Sequence, residues 1–377
     1  MIGIMTLHPK MYNYGGFLQE MALQDYLIDN GHKCEIINYI PEMDVNSFSI
    51  KRDLRNLSIS KIQQKMVSRY CQQSKKTVNK NDQKERKEAF DTCRRKKLIL
   101  SKPITKAELY DNFDRYDSII CGSDQIWNPD YNIPAFFLDF APKTVNTISY
   151  AASIGKNRLS KREKAVYKKL LTNLNYISVR EQSSVELLQP LSENNIDLVL
   201  DPTLLHERDY WEKQAAESNC VYSNYIFCYL LNPDNKKIEN IKKVSKKLKY
   251  NVAIITSLTE YEEDYSYANI KINNANPCDF VNLIRNAEMI ITDSFHATVF
   301  SLIFGKKFWT FGRNANGYNM NTRIENLLNI YDATEYFGSD IKLDSRSDKD
   351  LKGYNEEKAK LYREKSIRFL ENALKEN

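Results

Sequence analysis

Short apolar runs alternate with amphipathic stretches from the first residues of the chain. Residues 2–7 predict a strand, and residues 17–30 predict a helix whose apolar side chains recur on one face. Gly31 is in the position that commonly ends a helix, and residues 34–39 predict a second strand, closed by Pro41. A strand, a helix and a second strand in this order indicate parallel strands of one sheet.

The same alternation continues in two sets along the chain. Further strands are predicted at residues 118–122, 145–151, 176–179 and 198–200 in the first set, and at 225–231, 252–256, 289–292 and 307–310 in the second. The pattern is looser at 205–222, where we place a domain boundary. We therefore predict an α/β fold of two tandem Rossmann-like, doubly wound domains, residues 1–210 and 211–377, with a terminal helix over 354–376. In such sheets ligands bind beyond the carboxyl ends of the strands, here in a cleft between the domains.

The composition changes this picture little. Of the 377 residues, 42% are hydrophobic and 11% aromatic, which is enough for two cores. No apolar run approaches the roughly 20 residues of a spanning helix, and residues 1–10 do not resemble a secretory signal, so we expect a cytoplasmic protein. The seven cysteines are scattered without a C-x-x-C pair, which argues against a disulfide framework or a metal site.

The net charge of +6 is concentrated in one segment. Residues 51–97 hold 16 Lys or Arg against 5 Asp or Glu, so the rest of the chain is acidic. We predict two charged helices inserted into the first domain, over 59–70 and 90–97. Two interpretations are open: a solvated charged hairpin, or peripheral contact of a cationic helix with an anionic membrane. Nucleic-acid binding is disfavoured, since only Tyr70 and Phe90 interleave with the charges.

Two loops that follow predicted strands of the first domain contain candidate binding residues. They are Asn13, Tyr14, Gly15 and Gly16 in the first loop, and Ser123, Asp124, Gln125 and Trp127 in the second. Paired glycines let a ligand approach the backbone, although their spacing is not that of a dinucleotide fingerprint. Polar groups can bind sugar hydroxyls, and an indole can stack on a sugar face. The alternatives are a tight turn for the first loop and, for the second, a helix cap at Asp124 with Trp127 in the core.

Three arginines follow predicted strands. Arg180 comes directly after the strand over 176–179, and Arg313 and Arg323 come after the strand over 307–310. A guanidinium is suited to forked contacts with a carboxylate or a phosphate. The alternatives are a surface pair of Arg180 with Glu181 and a solvated loop around the other two.

Among the four histidines, His296 has the most suggestive position. It follows the strand over 289–292 within D-S-F-H, where Asp293 or Ser294 is a natural cap of the next helix. The start of a helix attracts anions, and a histidine is the usual proton donor or acceptor at neutral pH. The alternative is a histidine that serves the structure only.

Six stretches of the chain share their order with a known family. They are N-Y-G-G-F-L-Q-E-M-A-L-Q-D-Y-L (13–27), I-I-C-G-S-D-Q-I-W-N (119–128), S-Y-A-A-S-I-G (149–155), I-S-V-R-E (177–181), D-P-T-L-L (201–205) and I-T-D-S-F-H-A-T-V-F-S-L-I-F-G-K-K-F (291–308). Each stretch is short, but the six together resemble the polysaccharide pyruvyl transferase family. The resemblance implies a GT-B-like fold and transfer of a pyruvyl group from phosphoenolpyruvate to a sugar.

The resemblance also assigns roles to two residues. His296 takes the acid/base role, and Arg180 binds the anionic groups of the donor. In the reaction scheme that follows, we expect Asp124 to orient the acceptor or to take its hydroxyl proton. The better-studied members carry Arg-Leu-His before the helix, whereas this chain has Ser294-Phe295-His296. A cation is therefore missing beside the donor: either Arg313 or Arg323 replaces it, or the donor is bound differently.

The expected partners follow from this reaction. They are phosphoenolpyruvate, bound by Arg180, Ser294, Arg313 and Arg323, and a saccharide acceptor, free or lipid-linked, bound by the residues of the two loops of the first domain. The scheme requires no cofactor and no metal. A GT-B nucleotide-sugar glycosyltransferase would share the cleft and is the main alternative. A non-catalytic nucleic-acid-binding module rests on residues 51–97 alone.

Overall fold

The computed structural model describes residues 1–7, 12–39, 80–111, 115–131, 133–256, 265–315, 318–319, 321–342 and 355–375. The first half holds a parallel six-stranded sheet in the order β2-β1-β3-β4-β5-β6. Its strands are Ile2–Met5 (β1), Cys34–Ile36 (β2), Ser118–Cys121 (β3), Asn146–Ala152 (β4), Tyr176–Val179 (β5) and Ile196–Leu198 (β6). Its helices are Tyr14–Asp29 (α1), Lys80–Lys97 (α2), Lys106–Asp111 (α3), Lys161–Leu171 (α4) and Gln182–Leu188 (α5).

The second half holds a parallel five-stranded sheet in the order β11-β10-β7-β8-β9. Its strands are Tyr225–Tyr229 (β7), Asn251–Ile255 (β8), Ile270–Ile272 (β9), Met289–Thr292 (β10) and Lys307–Thr310 (β11), followed by the short pair Asn314–Ala315 (β12) and Tyr318–Asn319 (β13). Its helices are Arg208–Ala215 (α6), Asn235–Leu248 (α7), Pro277–Asn286 (α8), Phe295–Ile303 (α9), Thr322–Ile330 (α10) and Glu356–Lys375 (α11). In the part of the chain that the structure describes, no helix has the length and apolar character needed to cross a membrane.

Both sheets therefore have the predicted doubly wound topology. The strand order reverses between β1 and β3 in the first sheet and between β7 and β10 in the second. Ligands of such sheets bind at these switch points, beyond the carboxyl ends of the strands. The segments after β1, β3 and β10 contain the two candidate loops of the first half and His296, so the topology places these predicted residues where this rule expects a ligand.

Helix α1 begins at Tyr14, three residues before its predicted start. Asn13 is the N-cap, since its backbone is extended and its side chain accepts a hydrogen bond from the Gly16 amide through Oδ1 (3.2 Å). Gly15 and Gly16 therefore lie in the first helical turn rather than in a loop, which corrects the interpretation of this segment as a binding loop.

The two halves share an apolar core at their junction. Tyr14 stacks on Phe280 of α8 with ring centroids 4.9 Å apart, and its hydroxyl donates to the carbonyl of Ala275 (2.8 Å). Phe90 of α2 packs on the same tyrosine ring (4.8 Å). An aromatic cluster with members from both sheets holds the halves together at the base of the cleft.

Helix α2 is the described part of the basic segment. The predicted helix over 90–97 is present but starts earlier, at Lys80, and the predicted helix over 59–70 lies outside the described residues. The buried guanidinium of Arg86 donates to the carbonyl of Asn273 (2.8 Å), to Thr256 Oγ1 (2.7 Å) and to the Thr256 carbonyl. Asn273 and Thr256 both belong to the second half. Helix α2 therefore ties the inserted segment to that half and does not project into solvent.

The terminal helix α11 forms close to its predicted bounds and contacts both halves. Near its start, Lys358 Nζ donates to the carbonyl of Asn329 (2.6 Å) in the second half, where the predicted division places this helix. Its later turns pack on the first sheet. The backbone amide of Leu200 donates to Ser366 Oγ (2.9 Å), and Asn146 Nδ2 donates to the carbonyl of Ala373 (2.6 Å). Leu370 packs in the apolar cluster of the first sheet, so the chain returns to its first half after building the second.

Candidate active site

His296 lies in the first turn of α9, directly beyond the carboxyl end of β10. Ser294 is the N-cap, because its Oγ accepts from the backbone amide of Ala297 (3.4 Å). Asp293 instead accepts from the amide of Leu231 (2.6 Å) and from Lys237 Nζ (2.9 Å), and so fixes the loop after β7. The buried His296 is therefore held at a helix start where an anion is favoured.

Gly15 of α1 lies against the His296 ring. A Cβ built on Gly15 would be 2.0 Å from His296 Nδ1, far inside contact distance, whereas one on Gly16 would meet nothing nearer than 3.7 Å. The absence of a side chain at position 15 is thus what lets the start of α1 approach the start of α9. Gly15, and not Gly16, therefore serves this contact between the two halves of the molecule.

Asp201, which follows β6, faces the other side of the His296 ring. Its Oδ2 is 3.5 Å from His296 Nε2, and the same oxygen accepts from Arg180 Nη1 (2.6 Å) and Ser123 Oγ (2.9 Å). Its Oδ1 accepts from the amide (3.1 Å) and hydroxyl (2.6 Å) of Thr203. Burial raises the pKa of Asp201, but His296 and Arg180 outweigh this and hold it well below its ordinary value. Asp201 is therefore a fixed negative charge beside the histidine, and it is absent from the predicted site residues.

Arg180 links the two carboxylates of the site. It leaves the end of β5 with 3% of its surface exposed, donates to Asp201, and donates to Asp124 Oδ1 through Nη2 (3.3 Å). Its guanidinium carbon lies 4.3 Å from the ring centroid of Phe295. The alternative of a surface pair with Glu181 is wrong, since Glu181 is buried and accepts from hydroxyl groups instead.

Asp124 sits in a strained backbone conformation. Its φ of +66° is in the left-handed region, and its carbonyl accepts from the amide of Ser153 (2.9 Å) as part of a bridge to β4. Burial raises the pKa of Asp124, but Arg180, His296 and Arg323 together lower it below its ordinary value. The carboxylate is thus ionised and aimed at the cluster rather than capping a helix.

Arg323, at the start of α10, enters the site from the second half. Its Nη1 is 3.9 Å from Asp124 Oδ1, and the Gln125 amide oxygen accepts from Nη1 (3.2 Å) and Nη2 (2.6 Å) in the orientation that satisfies both groups. Gly155 leaves room for Gln125, because a Cβ there would lie 2.8 Å from the amide carbon. Burial and the charge of Arg180 lower the pKa of Arg323 to about 10, so it remains a cation at neutral pH.

The cluster contains buried donors without acceptors. Among the described residues, Nε of Arg180, Arg313 and Arg323 has no hydrogen-bond partner, whereas Nε2 of His296 faces Asp201. Arg313 is half-buried and near enough for its charge to act on Arg323. Buried polar groups are nearly always paired, so three such atoms on three arginines indicate a site built for a charged ligand.

The family model of polysaccharide pyruvyl transferases matches residues 13–314, which include every member of this cluster except Arg323. The chain belongs to this family. It is therefore a transferase of polysaccharide biosynthesis, and the family implies a saccharide acceptor. A search of curated proteins finds no match.

Solved structures show the fold of the transferase. A putative UDP-N-acetylglucosamine 2-epimerase from Listeria monocytogenes is 9% identical, with a TM-score of 0.52 over 99% of this chain and 97% of its own. A UDP-GlcNAc 2-epimerase from Methanocaldococcus jannaschii, in complex with UDP-GlcNAc and UDP, is 14% identical, with a TM-score of 0.50 over 100% of this chain and 93% of its own. The transferase has the GT-B-like fold of these proteins.

Several residues predicted to bind the acceptor have other contacts in the transferase. Trp127 is 1% exposed, donates from Nε1 to the carbonyl of Phe136 (2.8 Å) and stacks on Phe137 (4.7 Å), so it belongs to the core and offers no face to a sugar. Tyr14 is buried in the junction of the two halves. Ser123 is fully buried, and its hydroxyl is used by Asp201.

The structure brings together the remaining candidates from both halves of the transferase. Asp124, Gln125 and Arg180 come from the first sheet, and His296 and Arg323 from the second. Asp201 was missed because it reads as a residue before Pro202 that caps a short turn, a role it also has through Thr203. Its position after a strand of the same sheet as Arg180 is the signal that could have identified it.

Proposed function

We propose that this transferase moves the pyruvyl group of phosphoenolpyruvate onto two hydroxyl groups of a saccharide, in a polysaccharide or lipid-linked precursor, to form a ketal and release phosphate. The observation that carries the proposal is the pair of His296 and Asp201 within a buried set of arginines whose Nε groups lack acceptors. A proton-transfer group beside cations with unused donors suits a substrate that must be both held by its anionic groups and protonated on carbon.

Donor binding is assigned to Arg323, Arg313, Arg180 and the start of α9. Arg180 already faces two carboxylates, so its charge is largely balanced within the protein. The charges of Arg323 and Arg313 are less fully balanced by carboxylates. These two arginines supply the positive charge that Ser294 does not provide. The amides at the start of α9 and the Ser294 hydroxyl add donors for a carboxylate or a phosphate.

His296 moves the protons in this scheme. Asp201 favours a proton on Nε2, which leaves Nδ1, the nitrogen facing Gly15 and the cleft, to exchange a proton with the substrate. Protonated His296 adds a proton to the methylene carbon of the donor, and the neighbouring carbon becomes electrophilic. A sugar hydroxyl adds there, phosphate leaves, and a second hydroxyl closes the ketal. The acceptor loses two protons, one replacing that donated by His296 and one leaving with phosphate.

Asp124 is assigned to the acceptor. Its lowered pKa keeps the carboxylate ionised, and the Gly16 position leaves space in front of Oδ2 (a Cβ there would be 3.9 Å away). An ionised carboxylate beside an open helix start can orient a sugar hydroxyl and accept its proton as the new bond forms.

The deciding experiment measures donor-dependent phosphate release over a panel of saccharide acceptors. We expect His296→Ala to lower turnover by about 10³-fold or more, since proton transfer by a positioned side chain contributes in this range. His32→Ala, a partly exposed histidine remote from the cluster, is the matched control and should retain wild-type turnover. Normal phosphate release by the His296 variant would remove it from the proposed role.

Lipid linkage of the acceptor and contact with an anionic membrane remain hypotheses that rest on residues 51–97. In the described helix α2, Phe90 is fully buried and faces the core, so this helix has no free apolar face for a bilayer. Membrane contact would therefore depend on residues 51–79. Flotation with anionic liposomes tests it, and binding that is absent at low salt would rule it out.

A further inference from the structure

Two buried cysteines on neighbouring helices line the same cavity. Cys93 is on α2 and Cys278 is in the first turn of α8, and these two helices pack against each other. Both side chains are buried in the core shared by the two halves. Directly after α2, the backbone amide of Ile36 donates to the carbonyl of Ile99 (2.7 Å), which fixes this end of α2 to the first sheet. Cys93 and Cys278 therefore face each other across the junction of the two halves.

The surroundings make the two thiols unequal. A hydrogen bond from the Cys278 thiol lowers the pKa of Cys93; burial opposes this, and the charge of Lys97 adds to the lowering. The same contact and burial raise the pKa of Cys278. Cys93 is therefore the thiol that ionises first, and a thiolate is the reactive form in disulfide exchange.

A surface cavity of about 310 Å³ opens beside the pair. Both cysteines line it, together with Lys96, Lys97 and Glu217. The other buried cysteines that the structure describes in strands, Cys34, Cys121 and Cys228, have pKa values raised chiefly by burial. The cavity gives a small reagent a route to Cys93 that a thiol within a strand does not have.

We propose that Cys93 and Cys278 form a reversible disulfide through exchange with a low-molecular-weight disulfide. The Cys93 thiolate attacks one sulfur of the reagent, forms a mixed disulfide and releases one small thiolate. Cys278 then gives up its proton, attacks the Cys93 sulfur and displaces the second small thiolate. The reagent gains two electrons and becomes two thiols, and the protein loses two hydrogens.

The disulfide would join the two sheets covalently at the base of the cleft. It would add a covalent bond between α8 and the inserted helix α2, which is followed directly by the contact with the first sheet and already bonds the second half through Arg86. A cross-link between residues so far apart in sequence restricts the unfolded chain strongly. The oxidised protein should therefore be more resistant to heat and less able to separate its halves.

The test uses the full chain with Cys71 changed to Ser, because Cys71 lies outside the described residues. The protein is equilibrated with mixtures of reduced and oxidised glutathione, free thiols are alkylated, and unreduced peptides are identified by mass spectrometry. We expect a Cys93–Cys278 peptide pair that disappears on reduction, a higher melting temperature and slower hydrogen exchange in α2 for the oxidised form.

Single variants distinguish the two steps. Cys278→Ser should trap glutathione on Cys93, since the second thiol is missing, whereas Cys93→Ser should leave Cys278 unmodified. Cys228→Ala is the matched control and should form the same peptide pair as the parent. The proposal would be overturned if Cys93 and Cys278 both stayed alkylatable at every ratio of reduced to oxidised glutathione. A glutathione adduct that persists on Cys93 while Cys278 is present would overturn it as well. No step of this test depends on the proposed activity.

Discussion

One oxygen of Asp201 connects the histidine of the site to its arginines. Oδ2 accepts from Arg180 and Ser123 and faces His296 Nε2 at 3.5 Å. A buried carboxylate is tolerated only when its charge is compensated, and here the compensation comes from groups the proposed reaction also uses. The charge that stabilises a protonated His296 is therefore the same one that holds Arg180 in place.

Asp201→Asn tests this coupling. The neutral amide removes the negative charge beside the ring, so we expect kcat to fall roughly 10²-fold. The Michaelis constant for phosphoenolpyruvate should change less than kcat. Asp197→Asn, in strand β6 before Asp201, is the control and should leave kcat unchanged. A loss of kcat accompanied by an equal loss of donor affinity and a lower melting temperature would mean that Asp201 only supports the structure.

At the scale of single residues, the sequence predicted which types of side chain form the site better than it predicted the contacts between them. His296, Arg180, Asp124 and Arg323 were all expected in the site, because each follows a strand. Which carboxylate faces the histidine depends on how β5 and β6 lie side by side, and this is not encoded by local spacing. For Trp127 the core alternative is the correct one, and the local sequence could not decide it because the contacts with Phe136 and Phe137 come from the following loop.

The starts of two helices, α1 and α9, meet at the centre of the molecule. Their contact depends on the missing side chain at Gly15, since any Cβ would overlap the His296 ring. We expect Gly15→Ala to displace this ring and lower turnover about 10²-fold or more, as small misplacements of a catalytic group do. The NMR signals of His296 should shift in the same variant.

Gly16→Ala is the matched comparison at the neighbouring position. Its Cβ would meet only ordinary contacts, and replacing a helical glycine stabilises a helix by about 0.5–1 kcal/mol. We expect an equal or higher melting temperature and unshifted His296 signals. Equal effects of the two substitutions would show that the contact with His296 is not the reason for the glycine.

Helix α2 connects the two halves through the hydrogen bonds of Arg86. Arg86→Ala removes the donor to three acceptors of the second half, so we expect a loss of about 3 kcal/mol in the free energy of unfolding. Arg95→Ala, on the exposed face of the same helix, should change it by less than about 0.5 kcal/mol. Urea denaturation measures the free energy of unfolding of both variants. Similar losses in the two would mean that the buried hydrogen bonds of Arg86 add little to stability.

Strand and helix types were predicted well where the periodicity was strong, and boundaries failed where a cap or glycine decided them. The start of α1 was placed late because two glycines resemble a loop, whereas Asn13 caps the helix before them. Strand β9 was missed because it has only three residues with Lys271 in the middle. Such elements are fixed by pairing with β8 rather than by their own pattern.

At the scale of the molecule, the charged cluster exists only when the halves are together. Asp124, Arg180 and Asp201 come from the first sheet, and His296 and Arg323 from the second. A ligand that bridges these groups must therefore stabilise the joined form of the protein against unfolding.

Thermal shift measurements test which ligand does so. We expect phosphoenolpyruvate at a hundredfold excess over its dissociation constant to stabilise the protein by about 2.7 kcal/mol, and the shift to shrink in Arg323→Ala. UDP and GDP should give no comparable shift. A larger shift with a nucleoside diphosphate would favour the nucleotide-sugar glycosyltransferase that shares this fold.

The return of α11 to the first sheet affects how the protein emerges from the ribosome. Domains usually fold in the order in which they are made. Here residues 356–375 cover apolar side chains of the first sheet, including Ile4 and Ile148, but are made only after the whole second sheet. Until α11 has been made, part of the apolar surface of the nascent first sheet remains exposed to water. We expect chaperone binding to the nascent chain to persist until α11 has left the exit tunnel.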